Sequence, residues 1–110
     1  MATRNVTPMP RHYDDPVKVD PKHYSVEFEN DKVRVLRVKF GPGEKSPMHG
    51  HPDTVAVYLT PHYSKHQFSG GETSEMRGNF GGTTWLDACE HLPQNANKEA
   101  MELILVELKK

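Results

Sequence analysis

The tripeptide His49-Gly50-His51 is the feature of this sequence that most restricts how the chain can fold. It follows the break Gly41-Pro42-Gly43 and stands just before an apolar run at residues 55–59. Side chains two positions apart in an extended strand lie on the same face. We therefore expect both imidazole rings to point at one place on the rim of a buried sheet, with alternate residues from Val55 onward continuing that face inward. Neutral imidazole nitrogen is a good ligand for divalent transition metals, so the pattern predicts part of a metal site.

Length and composition limit the class of protein. The chain has 110 residues, a single domain by size, and its one cysteine, Cys89, excludes an internal disulfide. The first residues lack the apolar stretch of a signal peptide, so we expect a cytoplasmic protein. Lys and Arg number 14 against 15 Asp and Glu, without a basic block, which argues against nucleic acid or a membrane surface as a partner. The longest apolar runs are too short to span a bilayer.

The first 23 residues differ in composition from the rest. They contain four prolines and little apolar content, so we predict an extended N-terminal arm over residues 1–23 without regular structure. The arm is either free or crosses a partner subunit. His12 and His23 belong to it, and we expect both to be exposed. Residues 24–110 then form one domain.

That domain has the pattern of short β-strands joined by Gly- and Pro-containing turns, and the sequence shows no long helical period. The final apolar segment also fits a two-turn helix, but its β-branched residues and short length favour a strand. We predict an all-β sandwich or barrel. The predicted strands are residues 24–29, 33–40, 54–60, 64–68, 73–77, 83–86, 90–92 and 101–108, with a loop over 93–97.

A third histidine occurs in a context similar to that of the pair. His91 follows a glycine-rich turn at the start of a predicted short strand, and Asn95 stands four residues after it. Histidines two apart also occur as ordinary loop residues, so the pair alone would be a weak signal. The three together predict a metal site formed by His49, His51 and His91.

These spacings resemble those of a known family. Gly43-(five residues)-His49-x-His51 resembles the first half of the first cupin motif, and His91-(three residues)-Asn95 resembles the end of the second. The resemblance covers about residues 24–109 and extends to small single-domain cupins named for beta-alanine degradation. It implies a double-stranded β-helix, or jelly-roll barrel, that binds a divalent metal through the three histidines.

The sequence departs from the cupin pattern at the carboxylate ligand. Many cupins have a glutamate four residues after the second histidine, and here that position is Val55. Leu86 and Ala88 replace the usual Pro and Gly of the second motif. A site of three neutral histidines resembles that of the thiol and diketone dioxygenases of the cupin superfamily, which favours iron. Zinc, nickel, manganese and copper are the alternatives, and zinc with a bound water would support hydration or hydrolysis.

Further residues are expected near the site, each with an alternative. Asp53 is the candidate acceptor for an imidazole N–H, and Asn95 is expected to orient the loop that carries His91 rather than to bind metal. Trp85 is expected in the core or the pocket wall, and Cys89 as a small buried filler or, less favoured, a ligand. Tyr58 should face away from the site if its strand is regular. The remaining pair, His62 and His66, are expected on the surface.

The expected function is that of a mononuclear non-haem metal-dependent enzyme of the dioxygenase type that acts on a small organic molecule. The alternatives are a non-catalytic module that binds a metal or metabolite, a cupin isomerase or lyase, and a zinc hydrolase. We also expect a homodimer, formed through an edge strand or an exchanged arm, because an open sheet edge needs cover.

Overall fold

Residues 13–110 are described by the computed structural model, and just over half of them lie in β-strands. The strands in this part of the chain form two antiparallel sheets, which confirms the all-β prediction. No helix within these residues has the length and apolar character needed to cross a membrane. The elements are α1 Pro16–Val19, β1 Tyr24–Glu29, β2 Val33–Phe40, β3 His49–His51, β4 Thr54–Tyr58, β5 His62–Phe68, β6 Thr73–Gly78, β7 Thr83–Leu86, β8 Cys89–Asn95 and β9 Met101–Leu108.

Each sheet mixes strands from distant parts of the chain. The first sheet has the order β1-β2-β9-β4-β7, and the second has the order β3-β8-β5-β6. The predicted loop over 93–97 is wrong in its first half, because β8 continues through Pro93 to Asn95. The last segment forms a strand, as predicted, rather than the helical alternative: β9 is the central strand of the first sheet and pairs with β2 and β4.

The core lies between the sheets and follows from strand alternation. In β9 every second side chain, from Met101 to Leu105, is buried, while those between are half-buried. Their neighbours on β2 and β4 alternate in the same register. Burying each large apolar side chain contributes about 2 kcal/mol to the free energy of folding. The buried cluster comprises Tyr24, Leu36, Val38, Phe40, Ala56, Tyr58, Leu103 and Leu105.

The register predicted from His51 into the apolar run is wrong. The chain leaves the second sheet after His51 and enters the first at Thr54, so the alternation restarts between the two strands. Ala56 and Tyr58 therefore face the core, and Val55 lies on the outer surface of the first sheet, paired with Trp85. Val55 is not a pocket residue.

The described part of the predicted arm is not extended. Residues 16–19 form α1, whose N-terminus is capped by Asp15, and the Asp15 carboxylate also accepts hydrogen bonds from Arg34 at 2.9 and 3.0 Å. His23 is buried rather than exposed: its ring stacks on Phe40 with centroids 4.0 Å apart. The expected exposure of His12 and any exchange of residues 1–12 fall outside the described residues.

Gly50, between the two site histidines, has a structural reason to lack a side chain. Its amide donates to the carbonyl of Asp14 at 2.9 Å, so residues just before α1 cover β3. A Cβ at Gly50 would lie 2.4 Å from the Tyr13 ring, which is too close for any side chain. The glycine therefore lets this part of the chain seal the outer face of the strand that carries His49 and His51.

Candidate metal centre

The structure brings His49, His51 and His91 together inside the second sheet. β3 and β8 are antiparallel with His49 directly opposite His91, and His51 follows on the same face as His49. The three rings are buried, with 0, 3 and 6 % of each residue exposed. One nitrogen from each ring contributes to a group of three atoms that lie within 4.8 Å of one another.

The Nδ1 atom of each ring is held by a hydrogen bond, and this leaves Nε2 available. His49 Nδ1 donates to the Pro47 carbonyl at 2.9 Å, and His51 Nδ1 donates to a Glu107 carboxylate oxygen at 2.7 Å. A carbonyl or carboxylate can only accept, so both rings carry their proton on Nδ1. The three Nε2 atoms are buried and have no hydrogen-bond partner among residues 13–110.

This arrangement fits a divalent transition metal. Three buried nitrogen lone pairs without partners are unfavourable unless a cation or a donor meets them. With metal–nitrogen bonds of about 2.1 Å, neighbouring ligand atoms on one ion lie roughly 3.0 to 3.4 Å apart. The donor atoms here are at most 4.8 Å apart, so binding would draw them together. All three donors are neutral imidazole nitrogens, and the group contains no carboxylate. A carboxylate that supports metal binding must therefore come from the residues that contact these histidines.

Glu107 supplies that carboxylate, which none of the sequence motifs indicated. Its other oxygen accepts from Arg34 Nε at 2.8 Å, and Arg34 in turn binds Asp15. Hydrogen bonds from His51 and Arg34 outweigh burial, which by itself would raise the pKa of Glu107, and hold that pKa below its usual range. The residue could have been found, because it is the one charged position in the inward series 101, 103, 105, 107 of β9.

Burial also sets the protonation of the rings. Desolvation, aided by the proximity of His51, lowers the pKa of His49 to about 3. Desolvation and the neighbouring histidines lower the pKa of His91 well below its ordinary value. Both rings are therefore neutral at physiological pH, the state in which imidazole binds metal.

His91 is held by a hydrogen-bonded line of side chains on β5, which we call the β5 line: His66, Ser64 and His62. His91 Nδ1 lies 3.0 Å from His66 Nδ1, and His66 Nε2 lies 2.7 Å from Ser64 Oγ. Ser64 Oγ lies 2.8 Å from His62 Nε2. All three β5 residues are buried, so the expectation that His62 and His66 lie on the surface is wrong. Residues 62, 64 and 66 are spaced by two, so they share one face of a strand. This spacing was the sequence signal that could have indicated that His62 and His66 lie together on the inner face.

A metal bound at His91 Nε2 would fix which atom donates and which accepts in each hydrogen bond of the β5 line. The proton of His91 would stay on Nδ1, which then donates to His66 Nδ1. His66 would carry its proton on Nε2 and donate to Ser64, whose hydroxyl can donate onward to His62 Nε2. One metal bond would thereby select a tautomer at three histidines.

Asp53 and Asn95 have structural contacts. Asp53 accepts from the Ala88 amide at 3.0 Å and so ties the start of β4 to the turn before β8. The carboxylate that binds a site imidazole is Glu107. Asn95 donates to the carbonyls of Gly41 and Glu99 at 3.0 and 2.9 Å, which fastens the loop after β8 to the end of β2.

Cys89 and Trp85 lie at the entrance to the site. Cys89 stands opposite His51 in the β3–β8 pair and is half-buried. Burial raises the pKa of its thiol to about 11, so it is a protonated thiol at neutral pH rather than a thiolate ligand. Trp85 is 46 % exposed, and its indole N–H donates to Asp87 at 2.9 Å. Of the two positions expected for Trp85, this exposure excludes the core, and the residue lies on the rim of the outer pocket.

Two cavities reach the rings. An inner one of about 40 Å³ lies among His51, His66, His91 and the core, with Tyr24 on its wall. An outer pocket of about 280 Å³ touches the same three histidines and opens past Phe68, Met76, Trp85 and Cys89. Its volume is near the lower end of small-molecule sites. The site is thus buried on one side and accessible on the other.

The sequence matches no protein-family model, and no curated protein is significantly similar to it. Solved structures do match. A cupin domain from Bordetella pertussis superposes with a TM-score of 0.72 at 22 % identity, covering 79 % of this chain and 92 % of that one. The chain has the cupin fold. The predicted double-stranded β-helix is therefore confirmed.

Two further cupin-type structures extend the comparison. A Klebsiella pneumoniae protein with a double-stranded β-helix domain has a TM-score of 0.62 at 16 % identity and covers 94 % of this chain and 82 % of its own. A DMSP lyase from Ruegeria pomeroyi has a TM-score of 0.58 at 12 % identity and covers 83 % of this chain and 49 % of its own. At these identities the likeness shows the fold, while metal and reaction are questions for the site itself.

Proposed function

We propose that this cupin is a mononuclear non-haem metal enzyme in which His49, His51 and His91 hold a divalent ion, with iron favoured, and that it oxidises a small organic molecule with dioxygen. One observation carries the proposal: three buried Nε2 atoms converge without partners, and each opposite nitrogen is anchored. Zinc, nickel, manganese and copper remain alternatives for the ion.

The ion would supply Lewis acidity and, if it is iron, redox chemistry toward dioxygen. The chain supplies the rest. Glu107 and the β5 line orient two of the three ligands, and both lie on rigid strands. On the open side, Phe68 and Met76 provide apolar walls that limit the access of water.

The pocket also limits the class of substrate. Its volume of about 280 Å³ suits a small molecule, and its described lining contains no lysine or arginine. A negatively charged substrate would therefore be held by the ion rather than by a side chain. We infer a small organic acid, thiol or diketone that can chelate through two atoms. The likeness to beta-alanine degradation proteins is compatible with such a substrate and stays a prediction.

Oxygen uptake by metal-loaded protein tests the proposal. Protein stripped of metal and reloaded with Fe(II) or Zn(II) is offered thiols, diketones and short carboxylic acids in an oxygen-electrode cell. We expect uptake with Fe(II) and at least one substrate, none with Zn(II), and none in the His91→Ala variant. His23→Gln, at a buried histidine that lines neither of the two cavities, is the matched control and should retain uptake. Absence of uptake across this panel would reject the oxygenase assignment.

A second candidate is a lyase or zinc hydrolase that does not need dioxygen. The likeness to the DMSP lyase and the position of Tyr24 favour it: the phenol ring lies on the wall of the inner cavity, edge-on to His49 with centroids 4.8 Å apart. Product formed under strict anaerobiosis with Zn(II) would support this candidate. A metal bound without turnover in either atmosphere would instead identify a binding module.

A further inference from the structure

The outer faces of the two sheets differ sharply in polarity. On the second sheet, the outward residues of β5 and β6 include Lys65, Gln67, Glu75 and Arg77, as expected for a surface in water. On the first sheet, a row of five apolar side chains crosses all five strands at one level. In spatial order the row is Phe28, Val35, Val106, Val55 and Trp85.

The rows on either side extend this apolar surface. Val33 and Leu108 are paired on one side of the central row. On the other side Ile104 is paired with Val57 and also with Arg37, so this row carries one charged residue. We call the surface made by these three rows the outer apolar face. Its end residues, Phe28 and Trp85, are 55 % and 46 % exposed. Monomeric proteins rarely leave so large a continuous apolar surface in water.

We propose that the outer apolar face is the dimer interface of this protein, packed against the same face of a second copy. A face-to-face pair with its two-fold axis parallel to β9 would place Phe28 of each copy over Trp85 of the other, with the valines meeting at the centre. Sheets pack in this way about 10 Å apart in β-sandwiches. The proposal does not depend on the metal or on the reaction.

The charges on and around this face fit a second copy. Arg37 stands within the face and is paired with Glu27 and Glu102, while Lys109 at the border is paired with Glu29. These charged groups would therefore enter an interface already paired. The five strands, about 4.8 Å apart, span about 20 Å, and the three rows, about 7 Å apart, span about 14 Å. With the side chains around it, the face would form the centre of an interface of standard size, roughly 800 Å² per partner.

The other occupant to consider is the segment 1–12 of the same chain. Its sequence, MATRNVTPMPRH, has two arginines, two prolines and few apolar residues, and so is a poor complement to a row of valines and aromatic rings. The described chain also begins beside β3, on the second sheet, where Tyr13 covers Gly50. A second copy therefore matches the face better than this segment does.

Sedimentation equilibrium of the full-length protein and three variants tests the interface. Phe28→Glu adds a charge at an exposed edge position, and Val55→Lys adds one near the centre of the face. Phe80→Glu is the matched control, because Phe80 is 75 % exposed and belongs to the turn between β6 and β7 rather than to the face. Thermal unfolding by circular dichroism verifies that each variant folds.

We expect a species of twice the 12.5 kDa chain mass for the wild type and for Phe80→Glu. The dimer dissociation constant should rise by at least about tenfold in Phe28→Glu and by more in Val55→Lys. A wild type that stays monomeric at high concentration overturns the proposal. So does a dimer that persists unchanged in folded Phe28→Glu and Val55→Lys, because it must then form through an edge strand or an exchanged arm.

Discussion

Glu107 Oε2 lies 2.7 Å from Nδ1 of His51, although 56 residues separate the two in the chain. The contact joins the central strand of one sheet to the first strand of the other, so the site spans the jelly roll. Many cupins have a glutamate ligand at the position that Val55 occupies here. In this protein the carboxylate of Glu107 contacts the His51 ring instead of the ion, and the hydrogen bond from Arg34 holds Glu107 in the position that orients this ring.

Replacing Glu107 by Gln should weaken metal binding without unfolding the protein. The amide keeps the shape but loses the negative charge that makes His51 a stronger donor, and we expect the metal Kd to rise about 10- to 100-fold. Competition with a chelator of known affinity measures it. Glu102→Gln is the matched control, because Glu102 lies on the same strand, faces outward and pairs with Arg37. Equal affinities for the two variants would contradict the role of Glu107.

Replacing His91 by Ala should remove most of the bound metal. Two imidazoles remain, and the ion loses a third of its protein ligands, so we expect less than about one tenth of wild-type occupancy by elemental analysis after dialysis. His23→Gln removes an equally buried histidine whose partners are Asp20 and Glu44. This control should lose stability but keep its metal. Full occupancy in folded His91→Ala would exclude His91 as a ligand.

Substitutions along the β5 line should affect metal affinity in order of distance from His91. His66→Phe removes the acceptor of the His91 Nδ1 proton, and we expect the metal Kd to rise about tenfold or more. Ser64→Ala should have a smaller effect, and His62→Gln the smallest, because each acts only through the next member. Isothermal titration with Zn(II) gives the three constants. An effect of His62→Gln as large as that of His66→Phe would show that the line does not act through His91.

The metal-free protein should lose stability as the pH falls below about 6.5. Burial lowers the pKa of His62 and His66 to about 4 in the folded state, whereas the unfolded chain binds protons near pH 6.5. The unfolded state therefore gains protons that the folded state cannot accept, and stability falls between pH 6.5 and 4. We expect Tm to decrease by on the order of 10 °C from pH 7 to pH 5.

Thermal unfolding in the presence of a chelator measures this dependence. The His62→Gln variant removes one of the titrating groups without touching a ligand, so its Tm should fall less steeply with acid than that of the wild type. The lowered pKa of His49, about 3, further implies that this ring stays neutral at pH 5.5, where free imidazole would be mostly protonated. A Tm that does not change between pH 7 and pH 5 would contradict the burial of these neutral histidines.

Much of the fold could be predicted because each of its signals is local. Alternation of apolar residues in β2 and β9 identifies strands wherever one face is buried, and the Gly and Pro turns mark their ends. The convergence of His49 and His51 followed from the two-residue period within β3. The positions of Val55 and Tyr58 could not be predicted in the same way, because the chain changes sheets at Pro52 and the period restarts.

The sequence by itself determined an all-β cupin fold and the three histidines that meet in it, since strand periodicity and motif spacing are properties of short stretches. Only the tertiary structure decided what surrounds them. Glu107, Arg34 and the β5 line come from strands far apart in the chain, and pairing between distant strands depends on the register of the whole sheet. The apolar row across the first sheet has the same origin: its five residues lie on five strands, and no local pattern connects them.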